Sequence, residues 1–171
     1  PNANPVLIKV LEDVQQEPMV RHEAAEALGA IGTPDSITVL EIFKNDPVVE
    51  VAETCELALE RIRWLQQQTE EDNLSKNPYN SVDPAPPTNA KSVQELKQIL
   101  LDEADTLFNR YRAMFSLRND RSKEAVLALA AGLKCGSALF RHEIAFVLGQ
   151  LQDDNSVPFL KESLENTREN E

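Results

Sequence analysis

The sequence predicts an all-α protein, a solenoid in which helical hairpins stack side by side. Apolar residues recur at helical spacing through most of the chain. Five glycines against ten prolines leave little material for the tight turns of a β-sheet. Features of the longer helices also return about every thirty residues, which is typical of helical repeats.

The first half of the chain, residues 1–68, is predicted to contain two hairpins. A polar run follows the first helix, a Gly-Thr-Pro-Asp sequence follows the second, and Asn-Asp-Pro follows the third. Each of these sequences stops a helix or allows the next one to begin. The predicted helices are 6–11, 19–31, 36–43 and 48–68.

Residues 69–91 differ from what precedes them, because they are polar, rich in proline and too interrupted for a helix. This composition predicts a linker between two helical halves. The prolines and the aromatic Tyr79 leave open a second interpretation, in which the segment packs over one surface.

Helical patterning resumes in the second half, residues 92–171. Ser92 and Glu95 have the spacing of a capping box, in which each side chain bonds the backbone of the other. The helices predicted after this start are 92–101, 104–119, 122–133, 138–151 and 155–164, the last opening another pair.

The second helices of these hairpins align with a period near thirty. Val51 follows His22 by 29 residues, and His142 follows Arg112 by 30. Short helical hairpins with this period are typical of HEAT-type α-solenoids, in which each repeat buries its apolar face against its neighbours. In this alignment two repeats have Val51-Ala52 and Arg112-Ala113 at the positions where two other repeats have a motif with a His-Glu pair.

That motif is Arg-His-Glu, at residues 21–23 and again at 141–143, with Ala, Leu and Gly recurring after it. The chain has only two histidines, and both are in this motif. Adjacent helix residues lie about 100° apart, so His22 and Glu23, or His142 and Glu143, cannot easily chelate one ion. We interpret each pair as part of a metal site; a duplicated surface feature is the alternative.

The ligand types indicate which metals are suitable. Imidazole and carboxylate without thiolate suit iron or manganese, and imidazole-rich sites can suit zinc. His142 follows His22 by 120 residues, about four repeats. A straight stack would separate the pairs by several helix widths of roughly 9–10 Å, so they could meet only if the two halves face one another. Two pairs are also too few for a closed binuclear site.

Composition excludes some partners. The formal net charge is −12, which argues against binding to a nucleic-acid backbone or an anionic membrane. No apolar run approaches the length of a membrane helix, and no signal peptide opens the chain. Cys55 and Cys135 lie in apolar helical segments and are predicted to be buried free thiols, so a cytoplasmic location is expected.

Five stretches carry a further signal, in order along the whole chain. They are residues 17–32, 46–55, 81–87, 110–115 and 135–143, including Glu-Pro-Met-Val-Arg-His-Glu at 17–23 and Cys-Gly-Ser-Ala-Leu-Phe-Arg-His-Glu at 135–143. These stretches resemble the deoxyhypusine hydroxylase family. The resemblance implies a HEAT-like protein of two facing halves, with four His-Glu motifs that hold a non-haem diiron centre. It also implies dioxygen-dependent hydroxylation of the deoxyhypusine side chain of a translation initiation factor, forming hypusine.

Carried over to this chain, the resemblance makes His22-Glu23 the second motif and His142-Glu143 the third. It implies that His22 and His142 bind different irons, that Glu143 binds the iron held by His22, and that Glu23 faces the cationic substrate amine. The first and fourth motifs are not in this sequence, which therefore contains only half of the implied ligands. The chain alone is expected to be inactive. Similarity between residues 11–17 and 164–170 predicts another histidine at position 175, and the start at Pro1 within a repeat indicates residues upstream.

A different class of function is a non-catalytic HEAT scaffold that binds a basic protein partner through its acidic concave face. This interpretation predicts salt-sensitive binding that depends on neither histidine. The enzyme interpretation predicts that both histidines are required.

Overall fold

The computed structural model describes residues 3–67, 74–89 and 91–169, and these residues form two compact units. The first unit contains residues 3–67 together with Val82–Ala85, and the second contains the rest of the described chain. The described residues form nine α-helices. The only β-type pairing among them is an isolated bridge between Leu74 and Asn89. The all-α, HEAT-type prediction is confirmed.

The first unit consists of two helical hairpins. Its helices are α1 (Asn4–Glu12), α2 (Pro18–Ile31), α3 (Ile37–Phe43) and α4 (Val49–Gln67), with a 3₁₀ turn at Pro34–Ser36. Gly32 ends α2 in a left-handed conformation with a φ of 73°, as the Gly-Thr-Pro-Asp sequence predicts. The core lies between α2 and α4 and is closed by α1 and α3; it includes Leu11, Leu28, Leu40, Val51, Cys55 and Ile62.

The second unit contains α5 (Val93–Leu101), α6 (Leu107–Asp120), α7 (Lys123–Ala131), α8 (Ala138–Leu151) and α9 (Val157–Glu165). The capping box at Ser92 and Glu95 is present, which confirms that prediction. Residues N-terminal to α6, α7 and α8 cap those helices with a hydroxyl oxygen that accepts a backbone N–H, as Ser and Thr do at this position. These caps are Thr106, Ser122 and Ser137.

The start of α6 differs most from its predicted position. We expected α6 to begin near Ala104, but it begins at Leu107. The Ala104 backbone N–H is bonded to the Asp102 side chain, and Thr106 provides the cap that starts the helix. Local side-chain bonds therefore hold the preceding residues in a turn instead of a helical conformation.

The described part of the proline-rich segment is divided between the two units. In the first unit, Arg61 Nε donates to the Asp83 carbonyl at 3.1 Å, and Ala85 is buried. In the second unit, the Tyr79 hydroxyl donates to the Gln150 carbonyl at 2.9 Å, and Pro87 is buried. The described part of the segment therefore packs partly on the first unit and partly on the second, and its role as a linker between two helical halves stays a prediction. Residues 69–73 and 90 of the predicted linker, and residue 68 at the end of the preceding predicted helix, lie outside the described residues.

Candidate metal centre

An arginine at the same helical position fixes α2, α6 and α8 to their surroundings. The helices α2, α6 and α8 each have 14 residues, and the fourth residue of each is arginine. Arg21 Nε donates to the Leu11 carbonyl at 2.9 Å, and Arg110 Nε donates to the Leu100 carbonyl at 3.0 Å. Each acceptor lies in the last turn of the preceding helix. Arg141 instead bonds the Gly136 carbonyl and the Glu169 carboxylate, both at 2.7 Å.

This common position corrects the repeat alignment. Because Arg110 occupies the position of Arg21, the residues that correspond to His-Glu in α6 are Tyr111 and Arg112, and not Arg112 and Ala113 as we expected. Tyr111 is buried, with its ring centroid 5.7 Å from that of Phe140. Arg112 donates to the carbonyls of residues 86 and 87 at 3.3 and 3.1 Å. In α6 the first of these two positions therefore packs in the core, and the second binds the proline-rich segment.

His22 lies in the fifth position of α2 and is buried, with only 6% of its surface exposed. Its Nδ1 is 2.6 Å from the Thr54 hydroxyl oxygen on α4. The Thr54 hydroxyl also donates to the Glu50 carbonyl one turn earlier, at 2.7 Å. Two helices of the same unit thus hold the ring in one orientation.

A carboxylate lies on the other side of this ring. His22 Nε2 is 3.8 Å from Oε2 of Glu26, one turn along α2. Burial raises the pKa of the Glu26 carboxyl, and the negative charges of Glu23 and Asp83 raise it further. Such an environment favours an added proton or a bound cation. Glu23 itself is exposed, as expected for a residue about 100° from a buried neighbour.

The second pair occupies the same helical positions in α8 but has a different environment. His142 is exposed and Glu143 is half-buried. In the first unit, α4 covers His22 through Thr54, 32 residues later in the chain. Among the described residues, no hydroxyl group holds the His142 ring as Thr54 holds that of His22.

The two pairs lie in different units, one on α2 and one on α8. Across residues 3–67, 74–89 and 91–169, no group of three or more His, Cys, Asp or Glu side chains is placed to hold a metal ion. Metal binding by His22, Glu23, His142 and Glu143 therefore stays a prediction.

Sequence reasoning missed Glu26 and Thr54, which contact His22, and Asp83, whose charge acts on Glu26. Glu26 could have been found, because its spacing of four residues places it beside His22 on the helix. Thr54 and Asp83 approach from another helix and from the proline-rich segment, so local spacing carries no signal for them.

The cysteines do not contribute to this site. Both are free thiols, as predicted; Cys55 is buried, whereas Cys135 is only half-buried. Burial, together with the charge of Asp46, raises the pKa of the Cys55 thiol to about 12. None of the described helices is long and apolar enough to cross a membrane.

Comparison with known proteins identifies the class first. A family described as HEAT repeats matches residues 1–60, and one described as PBS lyase HEAT-like repeat matches residues 140–166. Together with the stacked hairpins, these matches define a HEAT-repeat protein.

Individual relatives identify the family within this class. Deoxyhypusine hydroxylase of Drosophila melanogaster is 65% identical over 167 residues, which cover 97% of this chain and 55% of the relative. The Homo sapiens protein of the same name is 57% identical, covering 98% of the chain and 55% of the relative. A solved structure of human deoxyhypusine hydroxylase in complex with glycerol matches 98% of this chain and 58% of its own, at 56% identity and a TM-score of 0.91. The chain belongs to the deoxyhypusine hydroxylase family and spans about half the length of the curated relatives it matches.

Proposed function

We propose that this chain supplies part of the iron site of a deoxyhypusine monooxygenase. The whole enzyme would use dioxygen to hydroxylate the deoxyhypusine side chain of a translation initiation factor and so form hypusine. Identity of 57–65% to curated proteins named deoxyhypusine hydroxylase, over nearly the whole chain, supports this activity. The observation that carries it is the environment of His22, a buried imidazole held at one nitrogen and faced by a carboxylate at the other.

The donor types fit the proposed metal. Imidazole and carboxylate ligands are those of non-haem iron sites, and a buried histidine with an oriented ring is ready to bind a metal without reorganisation. Following the family resemblance, we assign His22 and His142 to different irons and Glu143 to the iron held by His22. A diiron centre would supply the activation of dioxygen.

The remaining acidic groups suit the substrate. A deoxyhypusine side chain carries ammonium groups, and carboxylates attract and orient such cations. We assign Glu23 to the substrate amine because it is exposed on the same turn as His22. Glu26 and Asp83 add negative charge to the same region, as the raised pKa of Glu26 indicates.

A test uses the full-length protein and measures bound iron and hypusine formation by mass spectrometry. The His22→Ala, His142→Ala double variant should lose iron and activity. Glu41→Gln, on an exposed ion pair with Arg63 and Lys44, is the matched control and should keep both. Two irons per chain in the double variant would refute the assignment.

The formal charge of −12 favours a second candidate, a HEAT scaffold that binds a basic protein. That function predicts binding that weakens with salt and does not change in the histidine variants or with an iron chelator. For the enzyme we propose a cytoplasmic location, supported by two free thiols in the chain.

A further inference from the structure

We propose that Thr54 is a positioning residue that fixes the tautomer of His22 and makes Nε2 its metal-binding atom. This inference deepens the proposed function and rests on it, because it concerns a ligand of the proposed iron site. Thr54 is itself buried, with 4% of its surface exposed, and lies on α4, whereas His22 lies on α2.

Counting protons at Thr54 gives the direction of both hydrogen bonds. A threonine hydroxyl has one hydrogen to donate and lone pairs to accept with. At 2.7 Å the Glu50 carbonyl can only accept, so the hydroxyl hydrogen is directed to it. At 2.6 Å the His22 Nδ1 must therefore be the donor toward the threonine oxygen.

The opposite arrangement is less favourable. If the Thr54 hydroxyl donated to an unprotonated Nδ1, its oxygen would face the Glu50 carbonyl oxygen at 2.7 Å with no hydrogen between them. Two acceptors at this distance in a buried position repel each other, and no water would screen them. The Nδ1–H form satisfies all three groups.

The consequence concerns the second ring nitrogen. A neutral imidazole protonated on Nδ1 carries its lone pair on Nε2, the nitrogen on the side of Glu26. A hydrogen bond from the other ring N–H orients a ligating histidine and raises its basicity, and loss of such a partner costs 10–100-fold in metal affinity. The relay from the Glu50 carbonyl through Thr54 to His22 would perform this role.

The chain contains its own reference for the test, because it has one other histidine. His142 is exposed, and the described residues give it no hydroxyl partner of this kind. With only two histidines in the sequence, their ring signals can be assigned by one substitution, His142→Asn.

The first experiment records ¹⁵N spectra of the imidazole rings in the metal-free 171-residue chain at about pH 8.5, where histidine is neutral. Wild-type His22 should show the Nδ1–H tautomer, and Thr54→Ser, which keeps the hydroxyl, should show the same. Thr54→Val should shift His22 to a mixture or to the Nε2–H form while His142 does not change. An Nε2–H tautomer in the wild type overturns the proposal, and this readout needs no variant to fold.

The second experiment measures ferrous iron affinity of the full-length protein without oxygen. Thr54→Val should bind iron 10–100-fold more weakly, and Thr54→Ser should stay within a few-fold of wild type. Unchanged affinity in Thr54→Val, with iron lost in His22→Ala, overturns the positioning role and leaves the proposed function intact. Iron retained at full affinity by His22→Ala would instead refute His22 as a ligand, and the proposal with it.

Discussion

Arg21 and Asp46 form a buried ion pair in which Nη2 lies 2.6 Å from Oδ2 and each side chain is only 4% exposed. The same guanidinium donates to the Leu11 carbonyl, and Arg21 Cζ lies 5.3 Å from the centre of the Phe43 ring. Asp46 in turn accepts from the Val48 backbone N–H at 2.9 Å. The arginine beside His22 therefore joins α1, α2 and the start of α4, and so fixes the helix that carries the candidate ligand.

Asp46→Asn should destabilise the chain by about 3 kcal/mol at pH 7, because it leaves a buried guanidinium without its counter-charge. Burial alone would raise the pKa of Asp46, but the hydrogen bonds from Arg21 and Val48 and the charge of Arg21 outweigh it and lower the pKa. The pair therefore contributes its stability above the ordinary pKa of aspartate and loses it as pH falls through the lowered value. Denaturant unfolding at pH 7 and under acid conditions measures both effects.

The matched control for this substitution is Glu41→Gln, which removes an exposed partner of Arg63 and Lys44. Exposed pairs contribute about 0–1 kcal/mol, so this variant should unfold nearly as the wild type does. Equal losses in the two variants, or an Asp46→Asn loss that does not shrink in acid, would contradict the assignment.

The glycines of the two motif copies should respond differently to the same substitution. A Cβ at Gly29 would lie 2.8 Å from Ala58 Cβ and 2.9 Å from its Cα, so Gly29→Ala must push α2 away from α4. We expect a loss of about 1–3 kcal/mol from overpacking. At Gly149, no atom of the described residues lies within 4 Å of the position that a Cβ would occupy. Gly149→Ala should therefore stabilise by up to about 1 kcal/mol through helix propensity. Thermal unfolding of both variants measures the contrast, and a stabilising Gly29→Ala would refute the close packing.

How far the sequence predicts this molecule depends on whether the signal is local. Helix starts with a local cap, such as Ser92 with Glu95, are predictable because both partners lie within one turn. The repeat register in α6 was wrong by one residue because Tyr111 replaces histidine there. The place of Arg110 as the fourth residue of α6 and its bond to the Leu100 carbonyl show the correct alignment.

The same limit applies to the candidate site. The His-Glu pairs are visible as a repeated motif, but which ring nitrogen is held depends on Thr54, 32 residues away on another helix. Spacing that long carries no periodic signal. His22 is likewise buried through a contact with Thr54 that its own local sequence does not contain.

The proline-rich segment should loosen when its aromatic anchor is removed. Besides its bond to the Gln150 carbonyl, Tyr79 has the Arg118 guanidinium 5.2 Å from its ring centre. Tyr79→Phe removes one hydrogen bond and should cost about 1 kcal/mol, whereas Tyr79→Ala also removes the ring. Limited proteolysis with mass spectrometry should show faster cleavage within residues 74–89 in Tyr79→Ala than in Tyr79→Phe. Lys76→Ala, on an exposed residue of the same segment, is the control and should match wild type. Equal cleavage in all three variants would refute the anchor.

The two thiols should react with alkylating reagents at very different rates in the folded chain. With a pKa of about 12, Cys55 is ionised in only about one molecule in ten thousand at pH 8, and its side chain is also inaccessible. Burial raises the pKa of Cys135 as well, with the charge of Glu103 adding to the rise and the nearby arginines Arg110 and Arg141 opposing it. Because Cys135 is only half-buried, it should be modified first.

Timed iodoacetamide labelling followed by peptide mass spectrometry measures the order of modification of these two thiols. In Cys135→Ser, labelling should be negligible in native buffer and should rise with denaturant along the unfolding curve, because Cys55 reacts only when α2 and α4 separate. Labelling of Cys55 in native buffer as fast as that of Cys135 in the wild type would show that the core between these helices opens readily. The helix that carries His22 would then not be held as the structure describes.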